Sequence, residues 1–389
     1  MIKRIFILGS TGSIGTNAVE VIQHLQKLDG KEAWQVVGLA AGSNSTLLTQ
    51  QAALLSVDAL ALVSGDITSG KHIYTGDHCA VELLRNHAQK GDLVLAAIVG
   101  FSGVASVLAA IDLGCDVALA NKEALVAAGS IVMDAIHANG VTLLPVDSEH
   151  AAIFQCLGGT SMKGVRSIVL TASGGSLRDY TKEQIEDVSR EDVLSHPTWQ
   201  MGEKVTVDSA SLMNKALEMV EAHWLFGASN EQIETVIHRA SLVHGLVEFD
   251  DGSMTAQLAP PDMKIPIQQA LTWPHRRVSA VHSPHWSTLT SLDFEPIDPV
   301  RFPAIALARK VIAAGGTSGT IFSAANEVAV EHFLQHSLPF GSIVRIVRKT
   351  LETIAVSPAS SLEAVTAADR EARRIANETI ATFAGKELA

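Results

Sequence analysis

The first third of the chain alternates short apolar runs with longer amphipathic stretches. The apolar runs occupy residues 2–8, 35–40, 59–63, 93–98, 117–120 and 141–146. This alternation is typical of βαβ units, whose crossover helices cover both faces of a parallel sheet. We therefore predict an α/β fold with an N-terminal, doubly wound, Rossmann-like parallel sheet over residues 1–146.

The first predicted strand is followed by the sequence Gly-Ser-Thr-Gly-Ser-Ile-Gly at residues 9–15. Glycines at a strand-to-helix turn let the backbone approach a pyrophosphate, and the helix N-terminus supplies N–H groups and a positive dipole end. A tight turn without a ligand is the alternative. We predict that a dinucleotide contacts four residues of this turn: Thr11, Gly12, Ser13 and Ile14.

The second predicted strand runs into Gly42, Ser43 and Asn44 without meeting an acidic residue. A fold that binds NAD normally places Asp or Glu there, facing the ribose 2′-hydroxyl. Ser43 and Asn44 can instead donate hydrogen bonds to a 2′-phosphate, although neither can pair with it bidentately as Arg does. We therefore predict NADPH as the cofactor, in contact with these three residues.

Polar residues also follow the predicted strand at 117–120. Asn121, Lys122 and Glu123 stand at its carboxyl end, and doubly wound sheets bind their ligands at the carboxyl ends of the strands. We predict that these three residues contact the cofactor or the substrate. A solvated lysine at a helix start is the alternative for Lys122.

The next predicted strand ends in Asp147, Ser148 and Glu149. The period of two along an extended strand would place both carboxylates on one face. Like charges so close need a neutraliser, either a cation with oxygen ligands such as Mg²⁺ or Mn²⁺ or a shared proton. We predict a metal site here, with two exposed loop carboxylates as the alternative.

Residues 147–272 have mixed periodicity and predict a second, α+β domain. Ser173 precedes two glycines in a turn that suits an anion. Residues 196–202 combine His, Pro, Trp, Met and Gly, which is typical of a lid over a ligand, although Trp199 could also be an ordinary core residue. His244, in a predicted hairpin, faces either a pocket or the surface of the sheet.

Asn214, Lys215 and Glu218 are three or four residues apart in a predicted helix and therefore share one face. Such a face presents an amide, a cation and a carboxylate to one pocket. Glu218 is thus the third candidate metal ligand, and a solvated ion pair between Lys215 and Glu218 is the alternative. Ser209 or Ser211 can cap this helix.

The last third begins with residues 273–300, which contain four prolines and predict a linker. Residues 301–389 contain four helical stretches, which predict a C-terminal helical bundle. The bundle's function cannot be predicted from its residues.

Composition narrows the function classes. The 389-residue chain has a net charge of −12 and 47% hydrophobic residues. It lacks the clustered basic residues of a nucleic-acid-binding protein and the ~18 consecutive apolar residues of a membrane span. The 3 cysteines are far apart, which argues against a disulfide framework. We expect a cytoplasmic protein that binds small molecules rather than nucleic acid or membrane.

Several of these segments together resemble the 1-deoxy-D-xylulose 5-phosphate reductoisomerase family. The similar segments are residues 9–15, 118–123, 144–150, 196–202 and 207–218. The resemblance implies an NADPH-dependent and metal-dependent enzyme of isoprenoid precursor synthesis. It would rearrange 1-deoxy-D-xylulose 5-phosphate, a phosphosugar, and reduce the product to 2-C-methyl-D-erythritol 4-phosphate. Family members are typically homodimers.

The resemblance also implies roles for individual residues. Metal ligands would be Asp147, Glu149 and Glu218. Catalytic residues would be Lys122, Glu149, His196, Trp199 and His244. Substrate-binding residues would be Ser148, Glu149, Ser173, His196, Ser209, Asn214, Lys215 and Glu218. The lid would include His196, Trp199 and Met201, and Gly202 would contact the cofactor. Ser43 and Glu203 stand where family members often carry basic residues.

Two other function classes compete with this interpretation. A metal-dependent, NADP-linked oxidative decarboxylase would need arginines that converge on a carboxylate, whereas these segments carry hydroxyls, an amide and a lysine. A nucleotide-sensing regulator would need neither three acids nor a lid.

Overall fold

A computed structural model describes residues 2–67, 70–158, 161–283, 285, 287, 289 and 291–387. The chain divides into two compact units. The first unit contains Met1–Ala124, Val132–Ala151 and Asp262–Ser283, and the second contains Leu125–Ile131, Ala152–Pro261 and Pro284–Ala389. The domain boundaries predicted from the sequence stay predictions, and four residues of the predicted linker (284, 286, 288 and 290) lie outside the described residues.

The first unit contains a parallel sheet of 7 strands. Its strands are β1 Lys3–Leu8, β2 Trp34–Ala41, β3 Ala59–Leu62, β4 His72–Thr75, β5 Leu93–Ala96, β6 Asp116–Leu119 and β7 Leu143–Pro145. Their order is β4-β3-β2-β1-β5-β6-β7, so the chain winds outward from β1 in one direction and then continues from β5 in the other. This confirms the predicted doubly wound, Rossmann-like sheet. The switch point lies between β1 and β5, where such folds bind nucleotides.

The central strand of this sheet is covered on both faces. Ile5, Phe6, Ile7 and Leu8 of β1 are all 0% exposed, as expected of a parallel strand between two helix layers. The sequence did not predict β4, because this short edge strand is largely exposed and lacks a continuous apolar run.

Helices connect the strands of the first unit, and further helices follow along the chain. In chain order they are α1 Ser13–Asp29, α2 Ser45–Leu55, α3 Cys79–His87, α4 Val104–Asp112, α5 Lys122–Asn139 and α6 Ser148–Leu157. The middle of the chain adds α7 Lys182–Glu186, α8 Arg190–Leu194, α9 Glu203–Ala210, α10 Met213–Phe226 and α11 Lys264–Thr272.

The start of α6 corrects one prediction. Strand β7 ends at Pro145, and the Ala151 N–H donates to the Asp147 carbonyl at 2.8 Å. Asp147 therefore stands at the start of the helix and Glu149 lies in its first turn. The expected alternation of the two acids along an extended strand was wrong, because acidic residues near a helix N-terminus stabilise the helix instead.

The second unit contains a mixed sheet of 4 strands in the order β11-β10-β8-β9. Its strands are β8 Val165–Ala172, β9 Ile233–Ile237, β10 Val243–Phe249 and β11 Met254–Leu258. β10 is antiparallel to both β8 and β11, while β8 and β9 are parallel. The predicted hairpin of β10 and β11 is confirmed.

The sequence predicted four helical stretches in residues 301–389, and the structure has four C-terminal helices, which belong to the second unit. They are α12 Ala304–Ala314, α13 Ser318–Leu334, α14 Ile343–Thr353 and α15 Leu362–Glu387. Their apolar faces share one buried core with α9, α10 and the sheet. Among the described residues, no helix is both long and apolar enough to cross a membrane.

Candidate active site

Two glycines of the turn after β1 are required by packing within the first unit. Gly9 has a φ of +88°, and a Cβ there would lie 2.4 Å from the Ala97 carbonyl oxygen. A Cβ on Gly15 would lie 2.3 Å from the Gly9 carbonyl oxygen. A side chain at either position would therefore disrupt the turn.

Three other glycines are exposed, and all three are predicted cofactor contacts. A Cβ on Gly12 would meet its nearest described atom at 3.4 Å, an ordinary contact distance, and one on Gly42 or Gly202 would meet no described atom within 4 Å. The fold therefore does not require glycine at these positions, whereas the close approach of a ligand to the backbone would.

The N-terminus of α1 is suited to an anion. In the described part of the chain no side chain caps it at Gly12, and its first turn contains no acidic residue. The N–H groups of Ser13 and Ile14 are therefore available, together with the positive end of the helix dipole. Thr11 lies beside them in the same turn, and this local structure fits a pyrophosphate.

The polar side chains at the ends of β2 and β6 differ in exposure and in the hydrogen bonds that hold them. Ser43 is exposed, while the Asn44 side chain accepts the Leu47 N–H at 3.0 Å and so caps α2. Asn121 is 3% exposed, and its side chain accepts from the Ala124 N–H at 2.7 Å and donates to the Gly100 carbonyl at 2.9 Å. Asn121 therefore holds the loop that follows β5.

The predicted catalytic lysine and a predicted metal ligand meet within the first unit. The Lys122 Nζ lies 2.7 Å from an Asp147 carboxylate oxygen, and both side chains are largely buried. Ser148 donates a hydrogen bond to Glu149. His150, which was not selected from the sequence, is 0% exposed and places its Nδ1 4.0 Å from Asp147. Its position three residues after Asp147 at a helix start could have indicated this proximity. Glu123 is also buried.

In the second unit, Ser173 contacts His196, a residue of the predicted lid. The N–H groups of Thr198 and Trp199 donate to the His196 Nδ1 at 3.1 and 2.9 Å. The Nε2 therefore carries the proton and donates to the Ser173 Oγ at 3.0 Å. Burial, with a smaller contribution from the Arg178 charge, lowers the pKa of His196 to about 4, so the ring is neutral near pH 7.

Trp199, the other aromatic residue of the predicted lid, packs against His244. The Trp199 and His244 rings lie 5.9 Å apart in an edge-to-face arrangement. His244 is 5% exposed, and its Nε2 lies 3.1 Å from the Ala259 carbonyl oxygen. The alternative that His244 merely covers the sheet surface is therefore less consistent with the structure than a buried position beside the lid.

The predicted polar face of α10 forms a compact cluster. Lys215 and Asn214 both donate hydrogen bonds to the Glu218 carboxylate. The side chains of Lys215 and Glu218 are only 2% and 0% exposed, so this ion pair is not the solvated pair of the alternative interpretation. Leu212, before the helix, is buried with a φ of +56°, an uncommon conformation for a non-glycine residue that sets the direction in which α10 starts.

Ser209 lies at the end of α9, against the glycine turn that follows Ser173. A Cβ on Gly175 would lie 2.5 Å from the Ser209 carbonyl oxygen, so glycine permits this contact. Ser211 does not cap α10 formally, but its Oγ accepts the Met213 N–H at 3.3 Å. The structure thus brings the two predicted phosphate-binding segments around Ser173 and Ser209 together.

The sequence prediction missed a buried polar group behind Ser209. Asp208 is 1% exposed, and its carboxylate accepts a hydrogen bond from the Asn326 amide at 2.8 Å and lies 3.0 Å from the Lys204 Nζ. Asn326 belongs to α13, 118 residues further along the chain. No local spacing indicates such a contact.

Sequence models of known families match most of the chain. The model described as 1-deoxy-D-xylulose 5-phosphate reductoisomerase matches residues 5–129. The model of that enzyme's C-terminal domain matches residues 143–226, and one described as DXP reductoisomerase C-terminal domain matches residues 258–375.

Individual relatives are similar over nearly their whole length. The 1-deoxy-D-xylulose 5-phosphate reductoisomerase of Symbiobacterium thermophilum is 47% identical over 97% of this chain and 99% of its own. That of Pelotomaculum thermopropionicum is 44% identical over 97% and 98%. The solved Zymomonas mobilis enzyme in complex with NADPH has a TM-score of 0.88 at 38% identity, covering 97% of this chain and 98% of its own. A solved DOX-P reductoisomerase in complex with NADPH, fosmidomycin and magnesium has a TM-score of 0.90 at 34% identity, covering 98% and 99%. The chain therefore belongs to the 1-deoxy-D-xylulose 5-phosphate reductoisomerase family.

Proposed function

We propose that this chain rearranges 1-deoxy-D-xylulose 5-phosphate and reduces the product with NADPH to 2-C-methyl-D-erythritol 4-phosphate, using a divalent cation. This reaction supplies isoprenoid precursors by the non-mevalonate route. The observation that carries the proposal is the similarity to reductoisomerases over 97% of the chain. The buried polar clusters of the two units support it, because they contain the groups that this chemistry needs.

NADPH binding is assigned to the carboxyl edge of the parallel sheet. The exposed positions of Gly12 and Gly42, where an added Cβ would meet no described atom closer than 3.4 Å, and the uncapped start of α1 support this assignment. Ser43 would donate to the 2′-phosphate, while Asn44 and Asn121 hold the loops around the cofactor. The full set of proposed cofactor residues is Thr11, Gly12, Ser13, Ile14, Gly42, Ser43, Asn44, Asn121, Lys122, Glu123 and Gly202.

The cation is assigned to Asp147, Glu149 and Glu218, each of which offers one carboxylate oxygen. Oxygen donors of this kind fit Mg²⁺ or Mn²⁺. When bound, such an ion supplies Lewis-acid stabilisation of the negative charge that develops on the substrate oxygens. The Lys122 Nζ lies 2.7 Å from Asp147, and Lys122 would orient the reacting hydroxyls together with Ser148.

The substrate phosphate is assigned to Ser173, Ser209, Asn214 and Lys215. The Ser173 Oγ accepts from the His196 Nε2–H at 3.0 Å and from the Gly175 N–H at 3.2 Å. Both lone pairs are therefore used, and its own hydroxyl hydrogen remains to donate to an anion. Neutral His196 thus fixes Ser173 as a donor toward the phosphate.

The lid is assigned to His196, Trp199 and Met201. Trp199 packs its ring against His244, so the two aromatic rings can cover the substrate together. Exclusion of water strengthens the polar interactions within the site and protects a reactive aldehyde from hydration. The lid residues His196, Trp199 and Met201 act by covering and orienting the substrate, since none of the three carries a charge at neutral pH.

We further propose a cytoplasmic homodimer. Strand β11 lies at the edge of its sheet, and two of its apolar side chains are accessible, Met254 at 69% and Leu258 at 39%. An exposed apolar edge strand suits pairing with a second copy of the same chain. The 3 cysteines are free thiols, which is consistent with a reducing compartment.

The test is NADPH oxidation with 1-deoxy-D-xylulose 5-phosphate, with and without Mg²⁺ or Mn²⁺. Turnover that requires both the phosphosugar and the metal is expected. The absence of metal-dependent turnover would overturn the proposal. Isocitrate and malate in place of the phosphosugar test the oxidative decarboxylase alternative, in the direction of NADP⁺ reduction.

A further inference from the structure

The C-terminal helices place one polar group against the phosphate-binding segment. Asn326 of α13 is 0% exposed, and its amide donates to the Asp208 carboxylate at 2.8 Å. Its neighbours Ala324, Ala325, Val328 and Ala329 are buried and apolar. Asn326 is thus a buried polar residue among largely apolar neighbours, although Ser323, one turn earlier, is also buried and polar.

Asn326 contributes less to the stability of the fold than an apolar residue of similar shape would. Its side-chain oxygen is buried without a hydrogen-bond partner among the described residues. A buried polar atom that lacks a partner lowers stability relative to an apolar side chain of similar shape. A role in placing Asp208 accounts for its presence better than a contribution to the core.

Asp208 connects this asparagine to the site. It immediately precedes Ser209 in the last turn of α9, which begins directly after the lid residue Gly202. The Ser209 carbonyl packs against Gly175 beside Ser173, so closely that a Cβ at Gly175 would lie only 2.5 Å from the Ser209 oxygen. A shift of the end of α9, which carries Asp208 and Ser209, would therefore move Ser209 relative to Ser173.

The charge of Asp208 already has a partner. Lys204, one turn earlier in α9, lies 3.0 Å from the carboxylate. Because this ion pair lies within one helix, it cannot fix the helix relative to the rest of the second unit. The hydrogen bond from Asn326 can hold α9 in place, because Asn326 belongs to a different helix, α13.

We propose that Asn326 is a positioning residue, which acts through Asp208 to hold Ser209 in place for the substrate phosphate. The proposal rests on the proposed function. It gives the C-terminal helices a specific part in substrate binding, although Asn326 itself does not contact the substrate.

The test compares Asn326→Ala with Ser323→Ala. Ser323 is buried one turn earlier on the same helix, and its hydroxyl has no partner among the described residues, so Ser323→Ala removes no hydrogen bond. For Asn326→Ala, the KM for the phosphosugar should rise about tenfold, with a smaller change in kcat and an unchanged Kd for NADPH. Ser323→Ala should have wild-type kinetics.

Further variants separate positioning from charge and from folding. Asp208→Asn keeps an acceptor for the Asn326 amide but removes the charge that pairs with Lys204, so its KM should rise less than that of Asn326→Ala. If Asn326→Ala does not fold, Asn326→Asp serves instead. Its buried carboxyl must hold a proton to donate to Asp208, so its KM should rise with pH more steeply than that of the wild type.

The wild-type assay separates failure of this proposal from failure of the proposed function. A wild type without turnover of the phosphosugar would contradict the proposed function. An active wild type with an unchanged KM in Asn326→Ala would overturn the positioning role alone. So would a fall in activity that only follows the folded fraction, or a KM of Asn326→Asp that follows the wild type at every pH.

Discussion

The proposed anion-binding groups of the two units are of different kinds. In the first unit the turn after β1 presents backbone N–H groups and one exposed glycine, Gly12, where an added Cβ would meet no described atom closer than 3.4 Å. In the second unit α10 presents an ion pair, Lys215 with Glu218, whose side chains are 2% and 0% exposed. The first arrangement depends on shape and the second on buried charge. Changes in the first should therefore affect cofactor affinity, while changes in the second should affect turnover and substrate binding.

The largest effect is expected for Glu218→Gln. This variant tests whether the buried charge of α10 is needed for turnover. Loss of one of three proposed carboxylate ligands should lower kcat by about a thousandfold or more, because metal stabilisation of charge contributes several kcal/mol. The Kd for NADPH, measured by fluorescence titration, should stay nearly unchanged. If turnover and NADPH binding are lost together, the variant has a folding defect and the two units are not independent in function.

The next largest effect is expected for Lys215→Ala. A charge-assisted hydrogen bond to phosphate contributes roughly 1.5–3 kcal/mol, which corresponds to a rise of about 10-fold to 150-fold in the KM for the phosphosugar. Lys310→Ala, which removes an exposed lysine of the same unit, provides the matched control. A KM that stays at the control value would exclude Lys215 from the phosphate site.

The sequence predicted the local features of both proposed sites but not the tertiary contact behind one of them. The glycine turn and the Asn214, Lys215 and Glu218 face both follow from local spacing, because glycines mark a turn and intervals of three or four mark one helix face. The Asp208 contact with Asn326 could not be predicted, since it joins residues 118 positions apart. It depends on how α13 packs against α9, which hydrophobic periodicity alone does not specify.

The fold shows the same division between local and tertiary information. Buried strands such as β1 were predicted because their apolar runs are continuous, whereas β4 was missed because it is an exposed edge strand. The alternation expected for Asp147 and Glu149 was wrong because the chain becomes helical at Ser148. Two acids separated by one residue are compatible with a strand end and with a helix start, and the sequence pattern did not decide between them.

The shape-dependent site can be tested with a pair of glycine variants. Gly12→Ala adds a methyl group that the fold tolerates, with its nearest described atom at 3.4 Å. The Kd for NADPH should rise about tenfold while the melting temperature stays unchanged. Gly15→Ala should instead lower the melting temperature, because its Cβ would lie 2.3 Å from the Gly9 carbonyl oxygen. Equal behaviour of the two variants would contradict the assignment of Gly12 to ligand contact.

A smaller effect is expected on the pH dependence of stability in the second unit. Burial lowers the pKa of His196 to about 4 from its ordinary value of 6.5. Between these pH values the unfolded chain binds more protons at this residue than the folded chain, so stability falls as the pH falls from 6.5 toward 4. In His196→Gln, urea unfolding should show a shallower loss over this range. An identical slope in both proteins would mean that the fold does not lower the pKa of His196.

The smallest effect is expected for Ser43→Arg, which adds charge to a site that otherwise depends on shape. Ser43 is exposed at the carboxyl end of β2. An exposed arginine that pairs with the 2′-phosphate should contribute up to about 1 kcal/mol, or roughly a fivefold lower Kd for NADPH, without changing the Kd for NADH. Gln50→Arg adds the same charge at an exposed position of α2 and should change neither value. A similar gain in both variants would indicate long-range attraction by net charge. A gain confined to Ser43→Arg would place the 2′-phosphate at this turn, and would show that the cofactor site lacks the charge on which the substrate site depends.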